Sequence, residues 1–199
     1  STTGGIFIHC PYFGVQSSRI DRENSELDSY ATYCKAMNLI QMCGTRDALR
    51  IADDLGITVF YNNNYKNLLG MYMCRQRHRM IFLNGRLDEI WLPLVAAHEL
   101  GHDMLHRDIA RSGLMQEFIL FHMKNTTEYE ANAFASHLLL DNEEVYELAR
   151  EGYDVVQIAQ AMNSHINLVL IKLQEMNKLG YDLRVPVEPD GRFLRKIRQ

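Results

Sequence analysis

Several features that would point to an easy functional class are missing from this chain. Its four cysteines, Cys10, Cys34, Cys43 and Cys74, are irregularly spaced and form no C-x-x-C pair. That disfavours a cysteine-built metal site or a thioredoxin-like redox motif and leaves buried thiols as the expectation. No run of about 18 apolar residues occurs, so no membrane-spanning helix is expected. No cationic and apolar leader precedes a small-residue cleavage site, which makes the cytoplasm the expected location. Charge of one sign is also lacking. The net charge of −4 and pI near 6.0 give no field that would gather nucleic acid or an anionic membrane. Arg192, Arg195, Lys196 and Arg198 make the C-terminus basic, and these charges are expected to be solvated, at the end of a basic tail over 181–199. There is no internal repeat and no low-complexity linker.

What is present is enough apolar material for a core: 47% of 199 residues are hydrophobic, which suits one domain with at most a small helical appendage. Residues 1–27 mix Gly, Pro, Ser and aromatics without period and read as an irregular arm. From Asp28 to Cys43 the apolar positions Tyr30, Tyr33, Cys34, Met37 and Ile40 recur at helical spacing. A short helix over Asp47–Leu55 follows, stopped by Gly56. Then the period changes. Ile57–Tyr61, Gly70–Cys74 and Arg79–Leu83 are rich in β-branched, aromatic and other apolar residues and are separated by polar turns, which predicts a small antiparallel sheet. Asn84-Gly85 closes it. A helix then runs to about His106, with Pro93 in its first turn. After an apolar connection over 107–124, Asn125-Thr126-Thr127 reads as a helix start, capped by Thr126 or Thr127, with the helix continuing to about Leu140. Two or three amphipathic helices follow between Glu143 and Leu179, and Gly180 ends the last. The expected organisation is therefore an arm (1–27), a catalytic unit (28–140), a helical C-terminal subdomain (141–180) and the basic tail.

The chemistry is concentrated in His98-Glu99-Leu100-Gly101-His102, an H-E-x-x-H on a helix. Residues four apart share one helical face, so both imidazoles can reach one metal while Glu99 projects beside it. A random chain of this composition yields about 0.02 such matches, so coincidence is a weak competitor. Two histidines do not complete a catalytic zinc site, which needs three protein ligands and an open position. The metzincin pattern would put histidine at Asp108 and glycine at Leu105, and is excluded. His106 sits about 12 Å along the axis from His98 and cannot join the same metal without breaking the helix.

A second helix is the better source. Glu128 shares its face with Ala131, Asn132 and Ala135, small enough to let that helix approach Gly101 closely, whereas Glu130 shares its face with Ala133 and the larger Phe134 and His137. Glu128 is the favoured third ligand and Glu130 the alternative. Asn132, one turn on, can accept a hydrogen bond from a ligand imidazole and fix its tautomer. Glu99 is then the base that takes a proton from the attacking water and passes it to the leaving nitrogen. His106 is expected to be a packed or outer-shell histidine, and His122 is a candidate for transition-state stabilisation. His9, His78, His137 and His165 carry no argument beyond their residue type.

With those residues placed, the chain from about Ala48 to Leu140 resembles the ImmA/IrrE family of metallopeptidases. The likeness rests on Leu69-Gly70-Met71-Tyr72, Ile81-Phe82-Leu83-Asn84, Ala97-His98-Glu99-Leu100-Gly101-His102 and Glu128-Tyr129-Glu130-Ala131-Asn132-Ala133-Phe134-Ala135. The resemblance implies an α+β, zincin-like fold: a small sheet packed on the H-E-x-x-H helix, a second ligand-bearing helix, and a helical C-terminal region. It implies a gluzincin-like site with one Zn2+ per chain held by His98, His102 and Glu128, and Glu99 as base. It also implies that the strand near Met80–Leu83 edges the cleft and pairs with an extended substrate. One departure is Leu138-Leu139-Leu140-Asp141, where the family tends to place proline.

The expected activity is that of a zinc endopeptidase acting on a protein partner, such as a helix-turn-helix repressor or antitoxin of a phage or mobile element. The competing reading is a non-proteolytic regulatory binding module on the same fold. Direct nucleic-acid binding is not expected, because Lys172, Glu175 and Lys178 are the only charges between Val155 and Gly180. The sequence leaves the oligomeric state open.

Overall fold

The computed structural model describes residues 20–108 and 124–189. Helix α1 spans Ile20–Cys43 and α2 spans Ala48–Asp54. Strands β1 (Thr58–Asn62), β2 (Gly70–Arg75) and β3 (His78–Asn84) follow. Then come α3 (Trp91–Leu105), α4 (Lys124–Leu139), α5 (Asn142–Arg150), α6 (Val155–Ala161) and α7 (Ile166–Lys178). The chain is α+β, as expected. Among the described residues no helix is long and apolar enough to cross a membrane.

Local chemistry sets most of these boundaries. Asp47 caps α2 by accepting from the Leu49 and Arg50 amides at 2.9 and 3.3 Å, and Gly56, at φ +68, turns the chain out of it. Asp88 accepts from the Ile90 and Trp91 amides at the start of α3, whose first turn accommodates Pro93. Arg46 donates to the His137 and Leu138 carbonyls at the end of α4 and pairs with Asp141, satisfying groups that the helix end leaves open. Asp154 and Gln157 form a reciprocal capping box on α6.

Three expectations need correction. Helix α1 starts at Ile20, so residues 20–27 of the expected arm are helical. Polar Asp21 to Glu26 give that stretch no apolar period, which hid it. Helix α4 is already running at Lys124, so Thr126 and Thr127 lie inside its first turn and do not cap it. The sheet is mixed. Its order is β1-β3-β2, with β2 antiparallel to β3 but β1 parallel to it, Thr58 opposite Met80 and Asn62 opposite Asn84. The 63–69 connection carries the chain past the place of β3, and the hairpin at Gln76-Arg77, both at positive φ, brings β3 back into the gap. The apolar connection after α3 falls largely outside the described residues.

The layers follow from burial. Helix α3 packs on β2 and β3 with one side, on α4 with another, and also touches α2. Helix α4 in turn packs on α1 and α7. Every residue from Leu94 to Asp103 is buried, which puts the H-E-x-x-H motif at the centre of the molecule. One hydrophobic core joins Ile51, Leu69, Ile81 and Leu100 to Phe134, Leu138, Leu168 and Ile171, so the C-terminal helices share the core of the sheet region.

Candidate metal centre

The two motif histidines lie one turn apart on α3, their ring centroids 4.8 Å apart and their planes nearly perpendicular. Their Nε2 atoms approach to 3.2 Å. Helix α4 brings Glu128 to the same point, with carboxylate oxygens 3.4 Å from His98 Nε2 and 3.6 Å from His102 Nε2. One donor atom from each of the three residues lies within 4.8 Å of the others. The close approach depends on small residues. A Cβ on Gly101 would sit 3.0 Å from the Ala131 carbonyl oxygen and 3.1 Å from its Cα, so any side chain there would push the helices apart.

The remaining sequence candidates take distinct places. Asn132 Oδ1 lies 2.9 Å from His98 Nδ1 and accepts from it, leaving a lone pair on Nε2. Glu130 is not at the imidazole pair; its Oε2 is 2.7 Å from His106 Nε2. His106 ends α3 in a non-helical conformation, and its ring lies against His102, with the two Nδ1 atoms 3.0 Å apart. Glu99 is buried between α3 and β2. His122 lies outside the described residues.

The donor chemistry suits a divalent borderline cation: two imidazole nitrogens with converging lone pairs and one carboxylate in a buried setting. Electrostatics point the same way. Burial pulls on the His98 imidazolium, but the Glu128 hydrogen bond and the charges of Glu99 and Glu128 outweigh it and raise its pKa. Burial and the neighbouring His98 charge push His102 down to about 3. Two rings this close do not both become positively charged imidazolium ions. Burial lifts Glu99 to about 7, opposed by His98, assisted by Glu128, and opposed again by the Tyr72 amide that donates to it.

Sequence reasoning placed the Gly70–Cys74 strand but missed that it is the one beside Glu99. The Gln76-Arg77 hairpin makes Arg75 and His78 a hydrogen-bonded pair, so the main chains of Cys74, Tyr72 and Gly70 face away from β3. The sheet edge beside Glu99 and the candidate metal centre is therefore β2. The expectation that Met80–Leu83 edges the cleft is corrected, because β3 is paired on both sides. Gly70 lets this edge approach: a Cβ there would fall 2.5 Å from Val95 Cγ1 and 2.8 Å from Glu99 Oε1. Asp103, fully buried on α3, locks the hairpin in place. It accepts from Tyr72 at 2.7 Å, Arg79 at 3.0 Å and Arg107 at 2.7 Å. Burial and Asp103 in turn raise the Tyr72 phenol pKa. Nothing in the local sequence around Asp103 marks it as a hub.

An H-E-x-x-H helix beside a sheet edge, with a carboxylate contributed by a second helix, defines a metallopeptidase-like domain of zincin-like fold. Residues 52–174 match the peptidase family described as the IrrE N-terminal-like domain. The chain is also 30% identical over 141 residues to a protein of Bacillus phage phi105 named uncharacterized immunity region protein 2, covering 71% of this chain and 87% of the relative. The chain belongs to the IrrE N-terminal-like family, the ImmA/IrrE family that its motifs resemble.

Proposed function

We propose that this protein is a zinc-dependent endopeptidase in which His98, His102 and Glu128 hold one Zn2+ and Glu99 is the catalytic base. The convergence of three donor atoms within 4.8 Å beside a buried carboxylate carries this reading. Zinc, when bound, supplies a Lewis acid and a water of lowered pKa. The chain's own residues do the rest. Glu99, with a pKa near neutrality, can take a proton from the attacking water and deliver it to the leaving peptide nitrogen. Asn132 holds the His98 ring in the tautomer that keeps its Nε2 free. The outward main-chain groups of Gly70 and Cys74, with the Tyr72 carbonyl, lie where an extended peptide could add to the sheet beside Glu99.

The substrate we propose is a cytoplasmic regulatory protein, such as a helix-turn-helix repressor or antitoxin of a phage or mobile element. The immunity-region name of the phage relative supports that choice. Glu99→Gln tests the catalytic reading. The variant should keep its zinc and lose cleavage of a co-expressed repressor. Full biological activity with zinc still bound would instead favour a non-proteolytic binding module.

A further inference from the structure

A line of polar atoms runs out of the donor cluster from His102. His102 Nδ1 is 3.0 Å from His106 Nδ1, and His106 Nε2 is 2.7 Å from Glu130 Oε2. The His106 side chain is buried, and the Glu130 side chain is one-third exposed. An ionised carboxylate can only accept, so the hydrogen between His106 and Glu130 belongs to His106 Nε2. A neutral His106 then presents an unprotonated Nδ1, and the hydrogen between the two rings belongs to His102 Nδ1. His102 Nε2, the atom facing His98 and Glu128, is left with its lone pair.

Helix geometry makes this line possible. His106 stands one turn beyond His102, but α3 ends at Leu105, and His106, at φ −122, leaves the helical path. Its ring lies between His102 and the second helix, where Glu130 is two residues beyond Glu128. Helix α4 therefore reaches the two motif imidazoles by separate routes. Asn132 fixes His98 directly, and Glu130 reaches His102 through another ring.

We propose that His106 and Glu130 form a positioning relay that holds His102 as its Nδ1–H tautomer and aims its Nε2 into the donor cluster. The proposal rests on the reading of His98, His102 and Glu128 as the zinc ligands. A ligand imidazole whose other nitrogen donates toward a carboxylate is a better-oriented and more basic donor. Here the carboxylate acts across an intervening histidine. The relay also explains why two acidic residues stand two apart at the start of α4: Glu128 faces the imidazoles, and Glu130 serves the ring behind one of them.

The test uses the full chain and separates the relay from a simple staple between α3 and α4. In the metal-free, unsubstituted protein, long-range 1H–15N correlation of the histidine rings should show His102 protonated at Nδ1 and His106 at Nε2; the opposite tautomers overturn the proposal. Glu130→Ala and His106→Ala should each weaken zinc binding by about 10- to 100-fold in competition with a chelator. The double variant should be no weaker than the worse single one, because both act on one path. Glu130→Gln, which keeps an acceptor oxygen, should recover most of the affinity. Unchanged zinc affinity in the alanine variants, with only a lowered melting temperature, overturns the relay and leaves a staple. If the unsubstituted protein binds no zinc at all, the ligand reading fails instead, while the tautomer measurement still reports on the relay.

Discussion

Helix α4 carries a buried cluster of histidine and carboxylate on each of two faces, and the two differ in where their positive charge comes from. Toward α3, Glu128 meets the rings of His98 and His102. Toward α7, His137 Nδ1 lies 3.3 Å from Lys172 Nζ, and its Nε2 lies 3.6 Å from Glu175 Oε2. The other Glu175 oxygen takes hydrogen bonds from Lys178 at 2.7 Å and Tyr129 at 2.8 Å. On the α7 side ammonium groups stand opposite the carboxylate; on the α3 side imidazoles do. Buried histidines beside an acid are therefore not in themselves a metal site. What distinguishes the candidate site is the convergence of its donor atoms, one each from His98, His102 and Glu128, within 4.8 Å.

Cutting each cluster separately is the strongest way to break this comparison. Glu128→Ala should lower zinc affinity by more than the roughly 100-fold that loss of an outer partner brings, whereas Glu175→Ala should leave zinc affinity unchanged. Chelator competition on both variants reads this directly. Stability should show the reverse pattern. Removing Glu175 takes away the carboxylate that pairs with Lys178 and faces the buried His137, and should cost about 3–5 kcal/mol in denaturant unfolding.

The site also depends on how closely β2 approaches. Gly70→Ala should push Val95 and Glu99 aside while leaving the three donors in place. Displacement of a catalytic group by about 1 Å costs on the order of 100-fold in rate, so cleavage should fall by that order with zinc content unchanged. Loss of zinc would show instead that β2 supports the ligands themselves.

Acidification should separate the two clusters again. Burial opposes the Glu175 carboxylate, but His137 and Lys178 outweigh it and depress its pKa from 4.5 to about 2. Its stabilising contribution is therefore present above pH 4.5 and is lost as pH falls through about 2. Burial and Lys172 depress His137 from 6.5 to about 4, so its contribution is present above pH 6.5 and is lost as pH falls through about 4. Zinc binding requires neutral imidazoles and should weaken between pH 8 and 5, before either loss is complete. Metal content and circular dichroism followed together should show zinc leaving first. The smallest effect is expected from Lys172→Met. Burial depresses the Lys172 pKa to about 7, so its ammonium is only partly charged near neutrality, and Glu175 keeps Lys178 and Tyr129 as partners without it; denaturant unfolding should change less than in Glu175→Ala.

The grouping of His98, His102 and Glu128 was legible in the sequence because it rests on short-range rules. The four-residue spacing of His98 and His102, and of Glu128 and Asn132, fixes shared helical faces; the expected contrast of Ala131 with Phe134 was only half right, because both residues lie against Gly101. The sheet was less legible. Strands were recognisable from composition, but the parallel ladder between β1 and β3 depends on how residues 63–69 cross the sheet, and no periodicity encodes that. The same limit hid Gly70, whose close approach to Glu99 spans 29 positions, and Asp103, which gathers Tyr72, Arg79 and Arg107 from separate segments. His137 looked no different from His78 or His165 in sequence; only the packing of α7 gives it Lys172 and Glu175 as neighbours.

Zinc K-edge absorption on the zinc-loaded full chain, with metal stoichiometry measured on the same sample, tests the central claim most directly. The account predicts one zinc per chain in a first shell of two imidazole nitrogens at about 2.0–2.1 Å plus oxygen donors. It also predicts loss of that shell in Glu128→Ala and an unaltered shell in Glu175→Ala. A sulfur-containing shell, or a shell unchanged by Glu128→Ala, would contradict it.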